Sequence, residues 1–193
     1  INVFAREVVA VGKEHADLPW LVFFQGGPGG KSPRPTGRNG WIARATEEYR
    51  VLLLDQRGTG RSSPVTRQTL TQLGSPEQQA AYLMNFRADS IVYDAERIRV
   101  ELIGSDQPWS ALGQSYGGFC ILTYLSLAPV GLREAFFTGG LAPLNRTADE
   151  VYRMTYKRVR EQNRRYFARY PGDQQQAQAI VDHLNRNDVR LPN

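Results

Sequence analysis

A chain of 193 residues, 41% hydrophobic and with 18 glycines, has the composition of an ordinary globular domain with a sizeable core. It holds no uninterrupted apolar run long enough for a membrane span and no basic-then-apolar leader after Ile1, so neither a spanning segment nor a membrane partner is expected. The net charge of +5 resides near the C-terminus: residues 1–145 carry 14 basic and 13 acidic side chains, residues 146–193 carry 10 and 6, and only three of the basic residues are lysine. An arginine excess confined to one helical stretch reads as a solvated face, so no nucleic-acid partner is expected. The single Cys120 excludes an internal disulfide and fits a cytoplasmic setting.

In chain order, short β-like runs alternate with helical patterns, which predicts an α/β fold with a mostly parallel sheet flanked by helices. Val3 to Val11 reads as a strand and Gly12 to Pro19 as a turn. Trp20 to Phe24 is a buried strand that runs into Gln25-Gly26-Gly27-Pro28-Gly29-Gly30. A short helix over Trp41 to Glu48 precedes the strand Arg50 to Leu54 and the turn Asp55 to Gly60. Ser75-Pro76-Glu77-Gln78 carries a cap, a first-turn proline and a capping-box glutamine, so a helix starts there and runs to about Asn85. Further helices are predicted over Ala88 to Leu102 and Tyr116 to Leu127, and strands over Pro108 to Leu112 and Glu134 to Thr138. From Asn145 the pattern changes. Tyr152, Tyr156, Val159, Tyr166 and Tyr170 fall near helical spacing among arginines, Pro171-Gly172 breaks that helix, and Gln174 to Asn187 forms another. No strand signal follows Thr138. Residues 1–144 therefore read as the sheet core and 145–193 as an incomplete helical cap.

Gly113-Gln114-Ser115-Tyr116-Gly117 matches G-x-S-x-G with a strand before it and a helix after it. Such a turn aims the serine hydroxyl out of the sheet, and bulky neighbours at Gly113 or Gly117 would collide with the adjoining elements. The free N–H groups at the start of the following helix favour developing negative charge. Acyl transfer further needs two N–H groups aimed at the oxyanion. Tyr116 supplies one, and the glycine-rich loop supplies the other through Gly26 or Gly27. A phosphate-binding loop is the competing reading, but the Gly-Lys-Ser/Thr ending is absent and Pro28 lacks an N–H.

Together with Asp55-Gln56-Arg57-Gly58-Thr59-Gly60-Arg61-Ser62, these blocks resemble the prolyl aminopeptidase (proline iminopeptidase) family of α/β hydrolases. Order and approximate spacing fit from Val3 to Gly139-Gly140-Leu141, and the arginine-rich helices resemble the start of that family's cap. Gln25 departs from the histidine of many members without removing a catalytic group. The resemblance implies a serine peptidase that releases an N-terminal residue, preferentially proline, from a peptide with a free N-terminus, using no cofactor or metal. It makes Ser115 the nucleophile, with Gly26, Gly27 and Tyr116 at the oxyanion hole. Asp55 and Arg57 are expected to pair and brace the loop beside the site, and Cys120 to be a small core residue whose thiol offers a route to inhibition.

An activated serine needs a base and an orienting acid. His15 precedes the nucleophile in a turn. His183 lies within a cap helix, where the side chain of adjacent Asp182 diverges by about 100°. The family places both missing groups beyond the cap, so the chain is expected to be the N-terminal portion of a longer hydrolase, completed by a C-terminal portion. The family's acidic amine-binding groups are likewise unmatched, since Glu150 and Glu161 read as surface helix charges. Two other readings stay open: another serine α/β hydrolase (an esterase, or an aminopeptidase of different preference), and an inactive fragment or binding module.

Overall fold

The computed structural model describes residues 1–37, 40–141, 143 and 145–189. Its elements in chain order are β1 (Phe4–Val8), β2 (Trp20–Phe24), α1 (Gly40–Ala45), β3 (Arg50–Asp55), α2 (Arg67–Thr71), α3 (Pro76–Leu83), a 3₁₀ turn at Met84–Phe86 and α4 (Ala88–Ile103). There follow β4 (Trp109–Gln114), α5 (Tyr116–Leu127), a second 3₁₀ turn at Pro129–Gly131, β5 (Leu132–Thr138), α6 (Ala148–Arg169) and α7 (Pro171–Arg186). They form two compact units, Ile1–Ala142 and Pro143–Asn193. The domain boundary expected after Leu144 lies at a junction where residues 142 and 144 are outside the described ones.

In the first unit the strands are ordered β1-β3-β2-β4-β5, with β1 antiparallel to β3 and every other pair parallel. The central strands β2 and β3 are apolar on successive residues because both faces of a parallel sheet are covered. Val22 and Phe24 pack on one face with Leu52, Leu54 and the helical residues Ile91, Val92, Ile121 and Tyr124, which belong to α4 and α5. Leu21, Phe23, Val51 and Leu53 point to the other face, where Ile42 and Ala45 of α1 cover them.

A polar network crosses the larger core. The Trp109 indole donates to the Tyr124 hydroxyl at 2.9 Å, which donates onward to Glu96, and Glu96 also accepts the fork of Arg99 at 2.8 and 2.9 Å. Arg99 also donates to the carbonyls of Gly104, Ser105 and Gln107, so α4 and the entry to β4 share one buried anchor. Arg99 holds the Glu96 carboxyl below its ordinary range, and burial pushes the Tyr124 hydroxyl up.

In the second unit α6 starts on a reciprocal Thr147–Glu150 capping box, and Pro171 opens α7. The Tyr166 hydroxyl donates to Asp173 at 2.6 Å and ties the two helices. Neither helix contains a buried residue. Pro171 thus begins a helix three residues earlier than the Gln174 start read from the sequence; the proline that cannot continue α6 suits the first turn of α7. Among the described residues, no helix is long and apolar enough to cross a membrane.

Candidate active site

Register brings three loops together. Phe24 of β2 faces Gly113 of β4 and Leu54 of β3, and Gln114 faces Thr138 of β5. The residues just past these pairs, Gln25-Gly26, Asp55-Gln56, Ser115 and Gly139-Gly140, therefore share the carboxyl end of the parallel strands. In open α/β sheets that is where ligands bind.

Ser115 has φ 53° and ψ −116°, and among the described residues it is the non-glycine with positive φ. Such a conformation costs on the order of 1–3 kcal/mol and persists only where the surroundings enforce it. Here the Ser115 N–H donates to Thr138 O at 3.1 Å, while its carbonyl accepts from Gly118 at 2.9 Å and Phe119 at 3.3 Å. The neighbouring backbone leaves no room for side chains. A Cβ on Gly117 would overlap the Phe24 carbonyl, and one on Gly26 would lie 2.9 Å from the Ser115 Cβ and 2.8 Å from the Gln114 carbonyl oxygen. The glycine-rich loop is thus in direct contact with the serine turn. Gly26 and Tyr116 flank Ser115, and Gly27 holds φ 126°, outside the range that side chains adopt readily.

The Asp55–Ser62 block braces this end of the sheet, by contacts other than the expected one. Asp55 and Arg57 do not pair with each other. Asp55 accepts from the backbone N–H groups of Ser32 and Arg61, both at 2.9 Å, and so joins the chain after the glycine loop to its own turn. Arg57 instead forks onto Asp94 of α4 at 2.7 and 2.6 Å and donates to Asn85 O at 2.7 Å. β3 ends at Asp55 and the chain turns at once, with the Thr59 N–H donating to Gln56 O at 3.0 Å, so the alternation that would put residues 55 and 57 on one face does not extend to Arg57. Gln56, 2% exposed, donates to Gln25 O at 3.1 Å and holds the glycine loop directly. Gln56 carries no signal of this role within its motif, and Asp94 has none either, because its partner lies 37 residues away.

Cys120 is fully buried, and burial pushes its thiol up to about 12, so it is inert near neutral pH and offers no route to inhibition by thiol reagents. Burial, with Cys120 beside it, also pushes the Tyr116 phenol up to about 12. The two histidines lie in different units. His15 is exposed in the loop that enters β2, at the opposite end of that strand from Gly26. His183 is exposed on α7, where Asn187 donates to its carbonyl at 2.8 Å.

The chain is similar to known proteins. The chain is 56% identical over its whole length to a proline iminopeptidase of Aeromonas sobria, covering 45% of that protein. It is 38% identical over 99% of its length to a proline iminopeptidase of Aspergillus aculeatus, covering 44% of that one. The chain thus spans less than half the length of these curated relatives. Among solved structures, an enol-lactonase from Burkholderia xenovorans is similar at TM-score 0.48 and 14% identity, over 69% of this chain and 41% of that one. The sequence pattern of the alpha/beta hydrolase fold family matches residues 19–191, and the chain belongs to that family.

Proposed function

We propose that this chain carries the nucleophile of a serine peptidase that releases an N-terminal residue, preferentially proline, through an acyl-enzyme intermediate. The observation that carries the reading is the strained Ser115 turn with the Gly26 backbone packed against its Cβ. In the proposed reaction the Ser115 Oγ attacks the carbonyl of the first residue. The N–H groups of Tyr116 and of Gly26 or Gly27 stabilise the oxyanion, the remaining peptide leaves as an amine, and water then releases the acyl group. Gly113 and Gly117 let the turn close, and Asp55 and Arg57 keep the surrounding loops in place. Residues 1–144 serve as the catalytic core and 145–193 as part of a cap. The base, the orienting acid and the carboxylates for the substrate ammonium come from the portion that the relatives possess and this stretch does not span. The relatives' printed names support the proline preference, and the single buried Cys120 suits a cytoplasmic protein.

The test compares the 193 residues, their His183→Ala variant and the product of the complete reading frame on proline and alanine arylamides and an ester. The complete product is expected to prefer proline arylamide, and the 193 residues to turn over negligibly. Robust turnover by the 193 residues, abolished in His183→Ala, would show that the triad is already complete. Preference for the ester would instead make the protein an esterase.

A further inference from the structure

Gln56 follows directly on β3 and is buried, and its side chain crosses to the neighbouring loop, where Nε2 donates to Gln25 O at 3.1 Å. The base from which it reaches is fixed. Its own carbonyl accepts from the Thr59 N–H at 3.0 Å and from the Thr59 hydroxyl at 2.8 Å. Asp55 before it accepts from the Ser32 and Arg61 N–H groups, both at 2.9 Å. The acceptor is placed as tightly. A Cβ on Gly117 would lie 3.1 Å from Gln25 O, so that oxygen also packs against the first turn of α5.

Gln25 O and the Gly26 N–H are the two ends of one trans peptide group, in which they point in opposite directions. A donor that fixes the oxygen therefore fixes the direction of the N–H. This peptide borders the nucleophile, because a Cβ on Gly26 would lie 2.9 Å from the Ser115 Cβ. The next peptide, which carries the Gly27 N–H, is hinged on the same Gly26 Cα and starts from the same plane. Resting on the peptidase reading above, we propose that Gln56 is a positioning residue for the oxyanion hole: through the Gln25 carbonyl it sets the direction in which the glycine loop presents its N–H. Gln56 itself touches no reacting atom. Negative charge reaches the hole only as the transition state forms, so Gln56 acts on kcat and leaves substrate binding alone.

The experiment uses the product of the complete reading frame and its Gln56→Leu and Gln56→Glu variants, assayed on proline arylamide. Leucine fills much of the same space without a donor. The carboxylate introduced by Gln56→Glu has no proton to give the carbonyl, but it donates once protonated, and burial raises the pH at which that happens. Near neutral pH both variants are expected to lose about ten- to a hundredfold in kcat, with KM changed by less than about twofold. As pH falls, the ratio of Gln56→Glu to wild-type kcat should climb, while that of Gln56→Leu stays flat. Wild-type kcat in either variant near neutral pH, a loss carried by KM, or a flat ratio for Gln56→Glu would overturn the assignment. A purely structural glutamine would give that last result, with a lowered unfolding midpoint. If Gln56→Leu is not recovered folded, the pH series of Gln56→Glu against wild type decides alone. Wild-type protein that does not cleave proline arylamide would sink the peptidase reading instead. Gln56 is then judged by the rate at which a fluorophosphonate labels Ser115, since the phosphoryl oxygen enters the same hole. Labelling about tenfold slower in the variants supports the assignment, and equal rates contradict it.

Discussion

Trp109, Ile121 and Tyr124 of the first unit are at most 1% exposed, whereas Tyr152, Met154 and Ile180 of the second exceed 60%. Both units contain well-formed amphipathic helices, so helix propensity does not account for the contrast. In the first, α4 and α5 lie against a sheet that takes up their apolar faces, and full burial of a large apolar side chain is worth roughly 1.5–3 kcal/mol. In the second, α6 and α7 rest on caps and on ion pairs such as Glu161 with Arg164 and Arg165, each worth about 0.2–0.5 kcal/mol. Local signals suffice to form a helix. Holding a serine in a strained conformation takes a packed sheet.

The most severe way to break the first unit's chemistry is Ser115→Ala. In the complete protein it should lower kcat by about 10⁵–10⁶-fold, measured on proline arylamide, with the unfolding midpoint unchanged. Gly26→Ala should come next. Its new Cβ would crowd the Ser115 Cβ and the Gln114 carbonyl, and displacing the oxyanion donor proposed at this loop should cost about 10²–10³-fold in kcat.

Gly26 and Gly117 were legible in the sequence because each must admit another backbone, and glycine is the residue that does so. Strand β2 and helix α5 were legible end to end, from an uninterrupted apolar run and from the motif that opens the helix. Other features were not. Helix α2 escaped notice because its capping box uses Thr69 rather than the usual Glu or Gln to answer Thr66. The strand read over Val3 to Val11 ends at Val8 and runs antiparallel, since pairing with β3 stops at Val51. The Arg57–Asp94 fork depends on how α4 packs, which no local pattern encodes.

Smaller effects sharpen the contrast in stability. Tyr124→Phe leaves the buried Trp109 indole without its acceptor and removes a donor from Glu96. It should cost about 1–3 kcal/mol, read from urea unfolding of the 193 residues. The same network sets an acid dependence. Arg99 lowers the Glu96 pKa from an ordinary 4.5, so its contribution is complete above that value and is lost as pH falls through the depressed one. Glu96→Gln should lower stability at neutral pH and flatten the loss below about pH 4.5. The least effect belongs to the second unit, where Tyr152→Ser should shift the same unfolding by less than about 0.5 kcal/mol. A loss there as large as that of Tyr124→Phe would mean that α6 is anchored through its tyrosines.

The most direct measurement is labelling of the complete protein with a fluorophosphonate, followed by peptide mapping. One adduct is expected, on Ser115, and none in Ser115→Ala. An adduct on another serine, or hydrolysis that survives in Ser115→Ala, would contradict the assignment of the nucleophile to this turn.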